Sequence, residues 1–184
     1  MNREVAKSQL GRVAGWLRRG TVKSVQRGSV SIVSSASGTA TITAVVLANS
    51  VIRFTGFTNS TLDQGDMLPR IELTNTTTVT AYRYDTSANT TTVFFEVTEY
   101  FPGVIRSVQR STGTHSAGPT NTTITAVNSL SKTTLEWLGY RVNVATAIAT
   151  YMHPTITLTS TTNVQSTAGS TSSQQFGFQV TEWY

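Results

Sequence analysis

Short sequence words recur in this chain in the same order and at nearly constant spacing, which constrains its fold more than any other feature. Lys23-Ser24-Val25-Gln26-Arg27 returns as Arg106-Ser107-Val108-Gln109-Arg110, and Thr41-Ile42-Thr43-Ala44-Val45 returns as Thr123-Ile124-Thr125-Ala126-Val127. Gly56-Phe57 is matched by Gly139-Tyr140, Pro69-Arg70-Ile71-Glu72-Leu73-Thr74 by Pro154-Thr155-Ile156-Thr157-Leu158-Thr159, and Val97-Thr98-Glu99-Tyr100 by Val180-Thr181-Glu182-Trp183. The offsets stay between 82 and 85 residues, so the chain reads as a tandem duplication with few insertions. A position kept in both copies is expected to do the same job twice; one that differs is free or specialised.

Three segments follow: an N-terminal arm over 1–20, one unit over 21–103 and a second over 104–184. A unit of roughly 80 residues buries a small core but is marginal alone, so two side by side support each other. Pro102 ends one strand just before the next unit begins, which predicts a defined relation between the units.

From Thr21 onward, β-branched and aromatic residues alternate with polar ones between Gly, Ser, Asn and Asp turns. Strands are predicted over Ser29 to Ile32, Thr39 to Val45, Val51 to Phe57, Arg70 to Thr74, Val79 to Tyr84 and Thr92 to Tyr100. In the second unit they fall over Thr122 to Val127, Thr134 to Tyr140, Thr155 to Thr159 and Gln175 to Trp183, with a weaker strand at Thr112-Gly113-Thr114-His115. Short, evenly spaced strands predict an all-β fold of two tandem β-sandwich domains. Charged residues make up 12% of the chain, against about 25% in an average soluble domain, which favours a β-rich protein held in an assembly. Phe95 and Val97, like Phe178 and Val180, share one strand face and are assigned to the core. Tyr100 and Trp183 fall on the opposite face, where they either contact a neighbouring module or cover the rim of their own sandwich.

Residues 3–19 read as an amphipathic α-helix ahead of these domains, with Ala6, Leu10, Val13, Ala14 and Leu17 on one face and Val5 and Trp16 widening it. Asn2 can cap its start and Gly20 its end. A helix of this length is marginal alone, so Leu10, Val13, Trp16 and Leu17, with Arg18 and Arg19 beyond them, are expected to anchor it on its own chain, a partner or a symmetry mate.

The net charge of +5 belongs to this arm: the first 28 residues hold seven basic side chains against Glu4 alone, and the rest carries seven basic and eight acidic ones. A body with no net positive charge is a poor electrostatic partner for nucleic acid. The chain has no Cys, so disulfides and thiolate metal sites are excluded. The first 20 residues lack the continuous apolar core of a signal peptide, and no run approaches the 18 apolar residues of a membrane span.

No catalytic, metal or cofactor constellation emerges. His115 and His153 have no histidine counterparts in the first unit, and no nucleophile stands in a recognisable setting. Asp63-Gln64-Gly65-Asp66 has two carboxylates at a turn but lacks the other oxygen ligands of a calcium loop. Arg27 and Glu99 bracket the first unit as Arg110 and Glu182 bracket the second, so each Arg is expected to pair with the Glu of its own copy.

The run Ser24 to Gly28, with Gly38 to Val45, Gly56-Phe57, Arg70 to Thr74, Thr76 to Ala81 and Phe95 to Tyr100, resembles a small module recurrent among virion proteins of tailed bacteriophages. The second copy departs from it, with Ser111 in place of Gly28 and Thr155 in place of Arg70. The resemblance implies a non-enzymatic virion component, tail- or fibre-associated or a head decoration, with other virion proteins and copies of itself as partners. The alternative is a carbohydrate- or receptor-binding module contacting a host-surface glycan, through a platform such as Trp137, Tyr140 and Tyr151 beside Glu136.

Overall fold

The computed structural model of the chain describes residues 20–60, 68–115, 118–142, 154–167 and 174–184. The expected N-terminal helix with Leu10, Val13, Trp16, Leu17, Arg18 and Arg19 lies outside these residues, as do Asp63, Asp66, Tyr151 and His153. The described chain is all-β. Its first half runs β1 (Val22–Ile32), β2 (Ser37–Thr41), β3 (Ser50–Asn59), β4 (Arg70–Asn75), β5 (Thr78–Tyr82) and β6 (Thr91–Tyr100). The second runs β7 (Ile105–His115), β8 (Thr120–Thr123), β9 (Thr133–Val142), β10 (Thr155–Ser160), β11 (Asn163–Thr167) and β12 (Gln174–Trp183). One-turn 3-10 segments, Leu47–Asn49 and Leu130–Lys132, lead into β3 and β9.

Strand pairing follows one plan in both halves, and every pair is antiparallel. β6 lies between β1 and β3, and β5 between β2 and β4. In the same way β12 lies between β7 and β9, and β11 between β8 and β10. A single pairing, Arg70 with Gly139, joins β4 to β9 and links the two halves through a six-stranded sheet.

Period-two alternation puts the apolar residues of facing strands together. In the first half, Val30, Ile32, Ile52, Val93, Phe95 and Val97 meet Ile71, Leu73, Val79 and Ala81, with Ile42 and Val45 closing one end. In the second, Tyr140, Phe176, Phe178 and Val180 meet Val164, with Ile124 and Val127 at the matching end. Each core borrows one residue: Leu138 of β9 lies in the first, and Leu68, just before β4, in the second. Each fully buried side chain of this kind contributes roughly 1.5–3 kcal/mol.

Two expectations are corrected, and one strand is added. Thr112 to His115 is the end of an 11-residue strand as long as β1, not a weak one. A Cβ at Gly113 would run into the Phe176 ring opposite it, so the aromatic lies over bare backbone and the strand continues. β11 went unpredicted because Asn163-Val164-Gln165-Ser166-Thr167 offers one apolar residue and hence no visible alternation. The segment Thr39 to Val45 is extended only as far as Thr41, because beyond it Ile42 and Val45 donate their N–H groups to Thr77 and Thr76 and leave the ladder.

The two ends of the described body converge on the link between halves. Phe101 N–H donates to Thr21 O at 3.0 Å and Tyr184 N–H to Val104 O at 3.3 Å.

Candidate functional site

The repeated words meet in space, and each half builds the same corner from them. Gln26 Nε2 donates to Thr43 O at 2.9 Å while Thr43 N–H donates to Gln26 Oε1 at 2.7 Å. Gln109 clamps Thr125 identically, both bonds 2.7 Å. The amide thus holds a backbone segment that has left its strand. Behind the clamp sits a buried carboxylate, Glu99 or Glu182. Glu99 Oε1 accepts from Lys23 Nζ at 2.9 Å and Val46 N–H at 3.1 Å, and Ser24 Oγ approaches Oε2 at 3.5 Å. Glu182 accepts from the N–H groups of Asn128 (2.8 Å) and Ser129 (3.1 Å) and from Asn128 Nδ2 (3.1 Å), with Arg106 Nε at 3.8 Å.

These donors decide the carboxylates' acidity. Burial pushes the Glu99 pKa up, but the Lys23, Val46 and Ser24 donors outweigh it, and the net shift is downward from 4.5. For Glu182 burial again pushes upward, and Asn128, Arg106 and Ser129 bring the pKa below 4.5. Both groups are ionised and occupied by donors at neutral pH, which suits holding a chain turn and not moving a proton.

The pairs Arg27–Glu99 and Arg110–Glu182 do not form, and register is the reason. Arg27 stands directly opposite Glu96, and its Nη2 lies 2.7 Å from Glu96 Oε2. Arg110 stands opposite Gln179 and donates to its Oε1 at 3.0 Å. Irregularities at Val22/Ser24 and Glu182/Trp183 leave Lys23 and Arg106, each four residues before the matching Arg, beside the two glutamates. Tyr100 and Trp183 are brought together: their rings pack edge-on, 5.3 Å between centroids, and Trp183 Nε1 donates to Thr134 Oγ1 at 3.2 Å.

Although Arg27 and Arg110 occupy equivalent positions, they do different work. Arg27 is on an open surface, its side chain 72% exposed. Arg110 is sunk between the halves, donating to Leu47 O at 3.2 Å and, through a short bond, to Ser50 O. Burial pulls its pKa down to about 10, opposed by Glu136 and Glu72, so it remains charged at neutral pH. Ile52 N–H, on the edge of β3, donates to Gln179 Oε1 at 3.3 Å, and Gln179 Nε2 donates to Glu136 Oε2 at 2.5 Å. The outer face of β7-β12-β9 therefore covers the β3 edge with side chains.

Next to it, Gly139 (φ +89°) sits at a bulge where a Cβ would strike Pro69 O and the Arg70 backbone. Arg70 is buried at this crossing, its guanidinium 4.0 Å above the Tyr82 ring and 3.2 Å from Glu72 Oε2. Burial lowers its pKa, with Glu72 acting against the shift.

Among the described residues nothing covers the corresponding face of the first half. A cleft of about 530 Å³ runs along it, lined by Arg27, Gly28, Ser29, Thr55, Phe94 and Glu96, and Phe94 is 41% exposed.

Two features escaped the sequence reading. Fully buried Arg83 donates to the carbonyl oxygens of Ser35 (2.9 Å), Ser87 (2.6 Å) and Asn89 (2.6 Å), tying two loops of the first half together. Leu138 and Gly139 form the junction, and only the Gly139-Tyr140 word hinted at it. The residues considered for chemistry are placed elsewhere. His115 is buried with Nδ1 3.2 Å from Ser166 Oγ, inside the second half. Trp137 packs on Phe176 and Tyr140 within the second core, while Glu136, one residue along the strand, points to the opposite face. Among the described residues no group of three or more His, Cys, Asp or Glu is placed to hold a metal ion, and no helix is long and apolar enough to cross a membrane.

No protein-family model, no curated protein and no solved structure matches this chain.

Proposed function

We propose that this chain is a non-catalytic structural component of a tailed-phage virion, displayed on the particle exterior as two tandem β-sandwich units, 21–103 and 104–184, with the 1–20 arm as its anchor. The observation that carries this reading is where the repeated residues go. Gln26, Glu99, Gln109 and Glu182 are engaged in holding chain corners, so the signal shared by both copies describes a scaffold. The Ser- and Thr-rich, weakly charged body and the resemblance of its first copy to phage virion modules point the same way. A glycan-binding role would need an exposed aromatic platform, whereas Trp137 and Tyr140 pack in the second core.

Antibody labelling of intact particles under the electron microscope tests the proposal, with label expected at repeated exterior positions. Purified virions that lack the chain would exclude it. Deletion of 1–20 should leave the body folded and abolish incorporation; wild-type occupancy of the truncated chain would remove the anchoring role.

A further inference from the structure

We infer that the outer face of β1-β6-β3 receives the β9 and β10 edges of a second copy of this chain, repeating between molecules the contact that the two halves make within one. This deepens the reading of the chain as an assembly subunit, and it rests on the internal contact as a template.

Within the molecule, the second half contributes a face and the first half an edge. On the face, Arg110 and Gln179 reach Leu47 O, Ser50 O and Ile52 N–H, Gly139 admits the Arg70 backbone, and Leu138 enters the first core. On the edge, Ser50, Ile52, Ile71 and Leu73 are consequently buried.

The same two surfaces occur once more on each molecule; among the described residues the face is open, and the edge is open over Leu130 to Leu135 and along β10, away from the Arg70–Gly139 pairing. The equivalent face carries Arg27, Glu96 and Gly56, where nothing lies within 4 Å of a Cβ built on Gly56. The equivalent edge carries Thr133, Leu135, Ile156 and Leu158, all only partly buried, and Leu130, the counterpart of Leu47, is 44% exposed. Leu68 packs into the second core, but Leu135, Ile156 and Leu158 on this flank stay partly exposed among the described residues, where Leu138 closes the first core.

The differences between the faces keep them complementary to that edge. Glu96 can accept the Leu135 N–H as Gln179 accepts Ile52 N–H, and the exposed Arg27, paired with Glu96 through Nη2, can direct its other N–H groups at the Leu130 and Thr133 carbonyls. In the used face, a large Leu138 adjoins Gly177, whose Cβ would stand 3.2 Å from the Leu138 Cβ. In the open face the large and small partners are exchanged, Phe94 standing for Gly177 and Thr55 for Leu138, so one apolar knob remains. Arg53 replaces Glu136 beside Glu96, 3.5 Å away, which inverts the polarity of that bridge but retains it. A face that binds a different surface makes a heterologous contact, which propagates into a ring or an open filament and does not stop at a two-fold dimer.

The test is sedimentation velocity of the full chain up to roughly 1 mM, where a weak contact becomes visible. Mass should climb beyond dimer with concentration. Phe94→Arg spoils the face, and Leu130→Arg sets a positive charge against Arg27 at the edge; both positions are exposed, and unchanged thermal melts verify folding. Each variant alone should be monomeric. Mixed, they should form a 1:1 heterodimer that grows no further, because each keeps one intact surface. Association that survives either substitution, or a mixture that stays monomeric, overturns the inference. A wild-type chain that is monomeric throughout also overturns it while leaving the virion reading intact; absence from purified particles would defeat that reading without touching the sedimentation result.

Discussion

Among the described residues, the first half of this protein has its edge covered and its outer face open; the second has its outer face used and its edge open except where Gly139 pairs with Arg70. The strand plan is common to both, so the difference lies in a few side chains and in which neighbour each half has. Gln26 and Gln109 clamp the same backbone in the same way because their partners lie within their own half. Arg27 and Arg110 are equally well matched in sequence, yet one faces solvent and the other is enclosed, because the second half alone has another half in front of its sheet. Repetition of a residue implies repetition of its role only when all its contacts are internal to the repeat.

Substitutions at paired positions should therefore give unequal effects at the junction and equal ones in the corners. Leu138→Ala should destabilise the first half by about 2–5 kcal/mol, the range for emptying a core Leu site, whereas Thr55→Ala should stay within about 0.5 kcal/mol in denaturant titrations. Equal losses would mean that the first core does not depend on the second half. Gly139→Ala should cost about 3 kcal/mol, from left-handed strain and from displacing the β4 backbone together. Gly56→Ala, with the same bulge but open space around it, should show only the strain, about 1–2 kcal/mol.

Arg110→Ala should cost about 2 kcal/mol by leaving the Leu47 and Ser50 carbonyls without their charged donor, and Arg27→Ala less than about 0.5 kcal/mol. The smallest contrast is in the corners, where Gln26→Ala and Gln109→Ala should each cost about 1 kcal/mol and differ little. Acid should also treat the halves alike. Glu99 and Glu182 have pKa values below their unfolded 4.5, so their stabilisation is complete above that pH and is lost as pH falls through the folded values. Urea midpoints measured from pH 6 to 3 should drop in that window, and Glu99→Gln should flatten the first half's share of the slope. A midpoint that rises on acidification would show that burial, not the donors, governs these carboxylates.

Alternation of apolar and polar residues made most strands legible, along with the core roles of Phe95, Val97, Phe178 and Val180, all buried. Where a strand is built by pairing alone, as in β11, the sequence carries no such signal. The Ile42 to Val45 stretch alternates like a strand but is held by Gln26 and by the Thr76 and Thr77 carbonyls, partners that a periodic pattern does not encode. Ion pairs were misread because a shift of a few residues in register exchanges Glu99 for Glu96 opposite Arg27. The roles of Leu138, Gly139 and Arg70 were hidden because they depend on one half meeting the other, which no word in either copy records.

The meeting of both ends of the described body at the link has a topological consequence. Thr21 and Tyr184 each bond to residues 101–104, so Tyr184 can be joined back to Thr21 by a short tether and the chain opened at Pro102-Gly103 without removing any strand pairing. Such a circular permutant reverses the order in which the two halves are synthesised while keeping every contact between them. The covalent connection is thus interchangeable with its reverse, and the arrangement of the halves is fixed by the surfaces they share.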